Sequence, residues 1–405
     1  MNAQQQLRKL QFSDDMTSEQ QLYQQARAMV PALRERAKET AKLGQLPAAT
    51  IAEMQQAKFF KIMQPARYGG LEMPPSVFFE VQMILAEGCM STAWVLGVVA
   101  IHNWQLGLFD DRAQQDVWGD DDSTLISSSY MPVGKVKRVE GGYRLSGKWG
   151  FSSGSKHCQW AFLGAMVPPE KDGDAPDYCT FLVPRSDYRV VDNWNVSGLE
   201  GTGSNDIVVD DAFVPAYRLH RSLDGFHCDN PGNAVNTNPI FRLPFGQIFP
   251  RAVSTSAIGA LRGALDAFIV VNRNRTGLND GARVAQDPQA TYAVALAESA
   301  IDESRTILFR NMDRMMEAVN GGEPLTINER IKMRFDASLV SKKCTDAMNE
   351  LFLSCGAQGT FREHPINRYW LDMNVGRTHV ANNAFKLGRN LGAAEFGFEN
   401  QDYFL

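Results

Sequence analysis

The sequence predicts an α+β protein with a helical N-terminal region, a β-rich centre and a long helical C-terminal region. Three observations carry this. Apolar residues recur at helical spacing from Ser18 to about Gly119, with few Gly or Pro. Short β-prone runs separated by Gly, Pro and Asp clusters fill about Ser123 to Arg218. Long helical patterns return from about Ala252 to the end. Helix, then β, then helix is not the alternation of a parallel βαβ sheet. A chain of 405 residues exceeds one ordinary core, and the changes of texture divide it into 1–122, 123–225 and 226–405.

In the first region Ala26, Val30 and Leu33, then Ile51, Met54, Phe59 and Ile62, mark buried helix faces, and Gln64 to Gly70 breaks the run as a loop. In the second, Val136–Val139 and Tyr143–Leu145 flank a Gly141-Gly142 turn and read as a hairpin. Trp160 to Val167, Tyr178 to Val183 and Asp206 to Val209 are further strands, and His220 to Pro239 reads as a loop-rich link. In the third, Ala257 to Asn274, Gln289 to Val319 and Ile327 to Cys355 are long helices.

The composition, 44% hydrophobic and 21% charged with 23 Phe and 7 Trp, can fill a large core and wall an aromatic pocket. A net charge of −5 with intermixed signs gives no reason to expect nucleic acid or an anionic membrane as partner. Cys89, Cys158, Cys179, Cys228, Cys344 and Cys355 form no C-x-x-C pair, which suits a reducing cytoplasm. The N-terminus is polar, and the apolar run Ala93 to Ile101 is too short to span a bilayer. We therefore expect a soluble cytoplasmic protein. No G-x-G-x-x-G or P-loop is present, so the chain shows no means of binding NAD(P)H. The glycines of Gly198 to Ser204 are in the wrong order and read as a turn. Neither H-x-x-H nor H-E-x-x-H occurs, and no metal is expected.

Two serine clusters stand out. Ser127-Ser128-Ser129-Tyr130 ends a strand or loop, and Trp149-Gly150-Phe151-Ser152-Ser153-Gly154 ends another. Turn chemistry is their plain reading. The alternative is a pair of loops presenting hydroxyls to a planar ligand between aromatic walls. Among the histidines, His102 ends an apolar run and His379 precedes the last helix. A buried neutral imidazole suits a general base.

The order of these features resembles the acyl-CoA dehydrogenase superfamily. The resemblance rests on the serine loop, Trp149-x-Phe151-Ser152-Ser153-Gly154, Gly198-Leu-x-Gly-Thr-Gly-Ser-Asn205 and Cys355-Gly-Ala-Gln358-Gly359, and runs from about residue 20 to the end. Within it, Phe151–Gly154, Pro184–Tyr188, Asp192-Asn193-Trp194 and His379 are similar to the two-component flavin-dependent monooxygenases, whose oxygenase components hydroxylate phenols. The resemblance implies an acyl-CoA-dehydrogenase-like fold with a central β-barrel domain. It implies reduced flavin, FMNH2 or FADH2, as co-substrate with O2, a separate NAD(P)H flavin reductase, a small aromatic or phenolic substrate, and a homotetramer whose flavin sites borrow residues from neighbouring subunits.

By the same resemblance, Ser153 hydrogen-bonds flavin N5, and Trp94, Ser128, Ser129, Tyr130, Phe151 and Ser152 line the isoalloxazine. Arg275 binds the flavin phosphate, and Gln358 lies in the late flavin segment. The substrate sits between His102, Ser128 and His379, with His379 as the base that ionises the phenol. A dehydrogenase needs a late catalytic glutamate, and Thr378-His379-Val380-Ala381-Asn382-Asn383 has none. Arylacetate members grip their substrate's carboxylate with an Arg at the position of Gly246; its absence here leans the substrate toward a larger neutral phenol of the seco-steroid type. The alternatives are p-hydroxyphenylacetate or an indole-type ring, and, in a different class, an acyl-CoA dehydrogenase.

Overall fold

The computed structural model describes residues 18–169, 171, 173, 175–276, 281 and 283–405. The polar N-terminus lies outside the described residues.

The first layer is helical: α1 (Ser18–Leu43), α2 (Ala48–Gln56), α3 (Pro75–Ala86), α4 (Met90–Leu106) and α5 (Asp111–Trp118). In α1, Leu22, Ala26, Met29, Val30, Leu33 and Ala37 are buried at three- and four-residue steps, one stripe of a surface helix. Every residue of α4 is buried, its polar His102, Asn103 and Gln105 included, so it runs through the core. The Gln64 to Gly70 break holds a short turn of 3-10 helix at Ala66–Tyr68 and ends on Gly69 at φ +71°.

The central region is one seven-stranded sheet in the order β5-β6-β2-β1-β3-β4-β7. Its strands are β1 (Ile126–Val139), β2 (Gly142–Ser152), β3 (Trp160–Val167), β4 (Asp177–Pro184), β5 (Tyr188–Val191), β6 (Asn205–Pro215) and β7 (Leu219–Arg221). The β1–β2 hairpin closes with Val139 opposite Gly142, and Gly141 takes φ +75°, which a side chain would resist. β1 changes partner along its length. Ile126 to Ser129 pair in parallel with β3, and Lys135 to Val139 pair antiparallel with β2. The sheet curls so that Trp149, Leu163, Phe181, Tyr188 and Ile207 from five strands share one core. It is a barrel-like wrap with edges at β5 and β7.

The third layer comprises α6 (Ser222–His227), α7 (Phe245–Ser254), α8 (Ser256–Asn272), α9 (Pro288–Val319), α10 (Ile327–Ser354), α11 (Pro365–Arg377) and α12 (Ala384–Glu395). The three long helices expected from periodicity correspond to α8, α9 and α10. A capping box starts α10: Glu329 N–H donates to Thr326 Oγ1 (3.1 Å) and Thr326 N–H donates to the Glu329 carboxylate (2.8 Å). Phe245–Asn272 is long and apolar enough to cross a membrane by composition, but it comprises α7 and α8, which pack into the core shared with α4. The link expected at His220 to Pro239 contains structure of its own, β7 and α6, too short for periodicity to reveal.

Candidate active site

Where α4, the first half of β1, the end of β2 and the C-terminal helices meet, they enclose a cavity of about 710 Å³. One wall carries hydroxyls. Trp94 Nε1–H on α4 donates to Ser153 Oγ (3.2 Å), Ser153 Oγ is hydrogen-bonded to Ser204 Oγ (2.7 Å), and Ser204 Oγ to Thr202 Oγ1 (2.7 Å). Ser128 and Ser129 extend this wall from β1. The turn that carries Thr202 and Ser204 is the Gly198–Ser204 segment. Leu199 N–H donates to Asp372 (2.6 Å) and Gly154 N–H donates to Thr202 O (2.8 Å), so the turn is pinned to both α11 and the end of β2.

Phe151 occupies the left-handed region at φ +61°, a strained conformation for a bulky residue. The strand register slips between Trp149 and Ser152, which frees the backbone to take it. As a result Phe151 and Ser153 both face the cavity, and the Phe151 ring meets Trp194 edge-on at 6.1 Å. Ser152 lies on the other side. It is fully buried, and its Oγ is unpartnered among the described residues.

His379 lines the opposite wall, 5.7 Å from the Trp94 ring. It caps the turn Val380–Asn382, with Nδ1 accepting from Ala381 N–H (3.1 Å). A neutral ring that accepts at Nδ1 carries its proton on Nε2. Burial, reinforced by the Arg334 guanidinium, lowers its pKa to about 4, so the imidazole is neutral at neutral pH.

Of the residues singled out from sequence, Trp94, Ser128, Ser129, Tyr130, Phe151, Ser153 and His379 meet at this cavity. The others do not line it. His102 sits one layer behind: Nδ1 donates to the Ile126 carbonyl (2.7 Å), and its ring stacks on Phe249 (6.1 Å) and meets the edge of Tyr130 (6.1 Å). It supports two wall residues instead of facing the ligand space. Gly246 is covered by the chain's own C-terminal segment. A Cβ there would lie 2.4 Å from Phe404 C and 2.5 Å from Leu405 N, so glycine is what lets the two backbones touch. Phe404 itself lines the cavity, while Arg330 donates to Leu405 O. Arg275 donates to Asn272 Oδ1 (3.0 Å) and Cys355 O (3.3 Å), next to the turn Gly356–Thr360 that carries an exposed Gln358. These two lie close together, away from this chain's own cavity.

Phe249, Arg334 and Phe404 carry no sequence signal and are brought to the cavity by tertiary packing alone. Its charged lining is Arg334 and Lys386, and no carboxylate lines it among the described residues. A late catalytic glutamate, which acyl-CoA oxidation needs, is therefore missing from the geometry as well as from the sequence.

Burial holds His102 and His220 neutral, each with its pKa lowered from 6.5 to about 4. Unfolding lets each take up a proton below 6.5, so their contribution to stability is complete above that pH and is lost as pH falls from 6.5 toward 4. The slope is about 1.4 kcal/mol per pH unit for each group at most. A clear fall in urea midpoint between pH 7 and pH 5 is expected, and a flat profile would contradict burial in the neutral form.

The cavity suits a flavin ring: hydroxyls and backbone on one side can meet its polar edge, and Trp94, Phe151 and Trp194 can flank its faces. The comparisons agree. Models of the acyl-CoA dehydrogenase N-terminal and C-terminal domains match residues 17–119 and 252–384. The flavin-dependent monooxygenase, oxygenase subunit HsaA, of Rhodococcus jostii (strain RHA1) is 38% identical over 376 residues, 93% of this chain and 98% of that one. The FADH(2)-dependent resorcinol hydroxylase, oxygenase component, of Rhizobium sp. (strain MTP-10005) is 32% identical over 90% of this chain and 91% of its own. The crystal structure of 3-HSA hydroxylase from Rhodococcus sp. RHA1 matches with a TM-score of 0.90 at 37% identity, covering 95% of this chain and 99% of that one. An oxygenase component works with reduced flavin and O2, with the flavin reduced on a separate protein. With the fold, the hydroxyl wall and the carboxylate-free cavity in agreement, the chain belongs to the acyl-CoA dehydrogenase superfamily, in its branch of flavin-dependent monooxygenase oxygenase subunits.

Proposed function

We propose that this oxygenase subunit hydroxylates a phenol ortho to its hydroxyl group, with a 3-hydroxy-seco-steroid phenol as the favoured substrate. The observation that carries the reading is the pairing of the hydroxyl wall with a neutral His379 in a cavity free of carboxylates. The substrate lean draws support from the 38% identical HsaA oxygenase subunit and from the 3-HSA hydroxylase structure. The wall offers the ligand mainly aromatic and aliphatic surface, such as Val98, Phe249, Val253, Leu387 and Phe404, which suits a bulky apolar body.

Reduced flavin, when bound, supplies the activated oxygen atom. Trp94, Ser128, Ser129, Phe151 and Ser153 would hold its ring, with Ser153 positioned by Trp94 and Ser204 to meet a polar edge atom such as N5. The apolar wall excludes water, which keeps the oxygen for the substrate. With Nδ1 engaged in capping its turn, His379 meets the phenol oxygen through Nε2–H, so it favours the ionised oxygen as a hydrogen-bond donor and is not the base expected from sequence; the ortho carbon becomes electron-rich. Arg275 and Gln358 would serve the flavin of a neighbouring subunit in a homotetramer; exposed Phe385, Phe396 and Phe398 are further apolar surface for such an assembly.

The test supplies reduced flavin and O2 with a seco-steroid phenol, with p-hydroxyphenylacetate and with indole, and measures catechol or other product against peroxide. The seco-steroid phenol is expected to give the highest ratio of product to peroxide. Preferential turnover of p-hydroxyphenylacetate or indole would replace that substrate, and no product from any phenol would sink the reading.

A further inference from the structure

Arg334 on α10 is 5% exposed and lines the cavity, a costly position for a charge unless something negative joins it. Its Nη1 donates to Ala381 O (3.1 Å), two residues past His379, and its Nε is buried without a partner among the described residues. Burial lowers its pKa only to about 10, so the guanidinium remains charged at neutral pH. Among the described residues, one opposing charge, Asp402 of the C-terminal segment, acts on it through space, and burial still outweighs that. Asp336, on the same helix, is paired with Arg310 (3.2 Å) and Lys332 (3.1 Å). Arg251 on α7 is a second buried cation that repels it, turned toward Gln247 Oε1 (3.1 Å) and Met333 O (3.2 Å). Lys386 on α12 is exposed, so water screens it. The Tyr130 and Tyr178 phenols are kept neutral, their pKa values raised by burial.

His379 alone does not meet the electrostatic need. With Nδ1 engaged by Ala381, the neutral ring offers Nε2–H, a hydrogen bond to an anionic oxygen but no compensating charge. We propose that Arg334 is a further catalytic residue, the counter-ion that holds the substrate's ring oxygen as phenolate beside His379. The O–H bond breaks heterolytically, the electron pair stays on oxygen and the proton leaves to solvent. Arg334 then offsets the resulting charge in a site where water cannot. This rests on the phenol reading given above.

A nitrophenol, whose neutral and ionised forms differ in colour, tests it directly. The probe is titrated with pH while bound to the oxygenase and reduced flavin under argon, so no turnover is needed. Its apparent pKa is expected to be lower bound than free. In Arg334→Gln it should rise by about one pH unit or more, a tenfold change in ionisation constant, and Arg334→Lys should restore part of the shift. Asp402→Asn keeps an acceptor for Phe404 N–H while removing the opposing charge, so it should lower the probe's pKa. That variant leaves the buried guanidinium in place should Arg334→Gln not fold. Equal ionisation in the parent protein, Arg334→Gln and Asp402→Asn overturns the assignment to Arg334. If the probe does not bind the parent protein at all, the phenol reading itself fails.

Discussion

Replacing His379 with Asn is expected to slow product formation by about a hundredfold or more while leaving the protein folded. The side chain does two separable things. It caps the turn Val380–Asn382 by accepting Ala381 N–H, which an Asn carboxamide oxygen can also do. It also brings an imidazole edge to the cavity, which Asn is too short to replace. The thermal midpoint should therefore stay near that of the parent protein. Reduced flavin and O2 should still be consumed, with peroxide rising at the expense of hydroxylated product, because the substrate would no longer be activated in time. Undiminished product with an unchanged peroxide share would remove His379 from the chemistry. A collapse of stability would show that its cap is the larger role.

The second large effect is expected from Gly246→Arg, the substitution that imitates an arylacetate hydroxylase. Its first side-chain atom would already lie 2.4 Å from the Phe404 backbone, so the C-terminal segment must leave. Leu405, now 1% exposed, would be released, and with it the Arg330 contact and the edge-on packing of Phe404 on Phe245 at 5.3 Å. We expect a loss of about 3 kcal/mol or more, on the scale of overpacking plus a lost buried side chain. Rapid proteolysis near residue 400 and product formation at least tenfold lower should accompany it. A variant that melts normally, resists protease and binds p-hydroxyphenylacetate would show that the tail yields cheaply and that the glycine is a matter of substrate alone.

The same glycine shows where the sequence stops being informative. Its identity could be set against a family pattern, but its reason, a backbone lying against it from 158 residues further along, is a tertiary fact. The long helices were legible because one buried face repeats through many turns, and β3 because its ends are marked by turn residues. The triple serine was harder. Ser127, Ser128 and Ser129 open β1 instead of ending an element, and because that half of β1 is buried on both faces it lacks the polar–apolar alternation that marks a strand. In the cavity, Ser153 and His379 belong to compact motifs. Arg334, Phe249 and Phe404 carry no motif, since nothing local distinguishes a buried arginine on a long polar helix from a solvated one.

The wholly buried helix α4 has a consequence for how the cavity wall tolerates change. Trp94, His102 and Gln105 reach Ser153, the Ile126 carbonyl and Tyr130 respectively, one point just past the end of β2 and two on β1, measured off by one rigid rod. Because all three contacts share its axial position and rotation, they cannot be adjusted one at a time. A slip of α4 by one residue would misplace all of them together. Their energies should therefore be coupled instead of additive, and variation along this helix is constrained as a set of positions that must move in register.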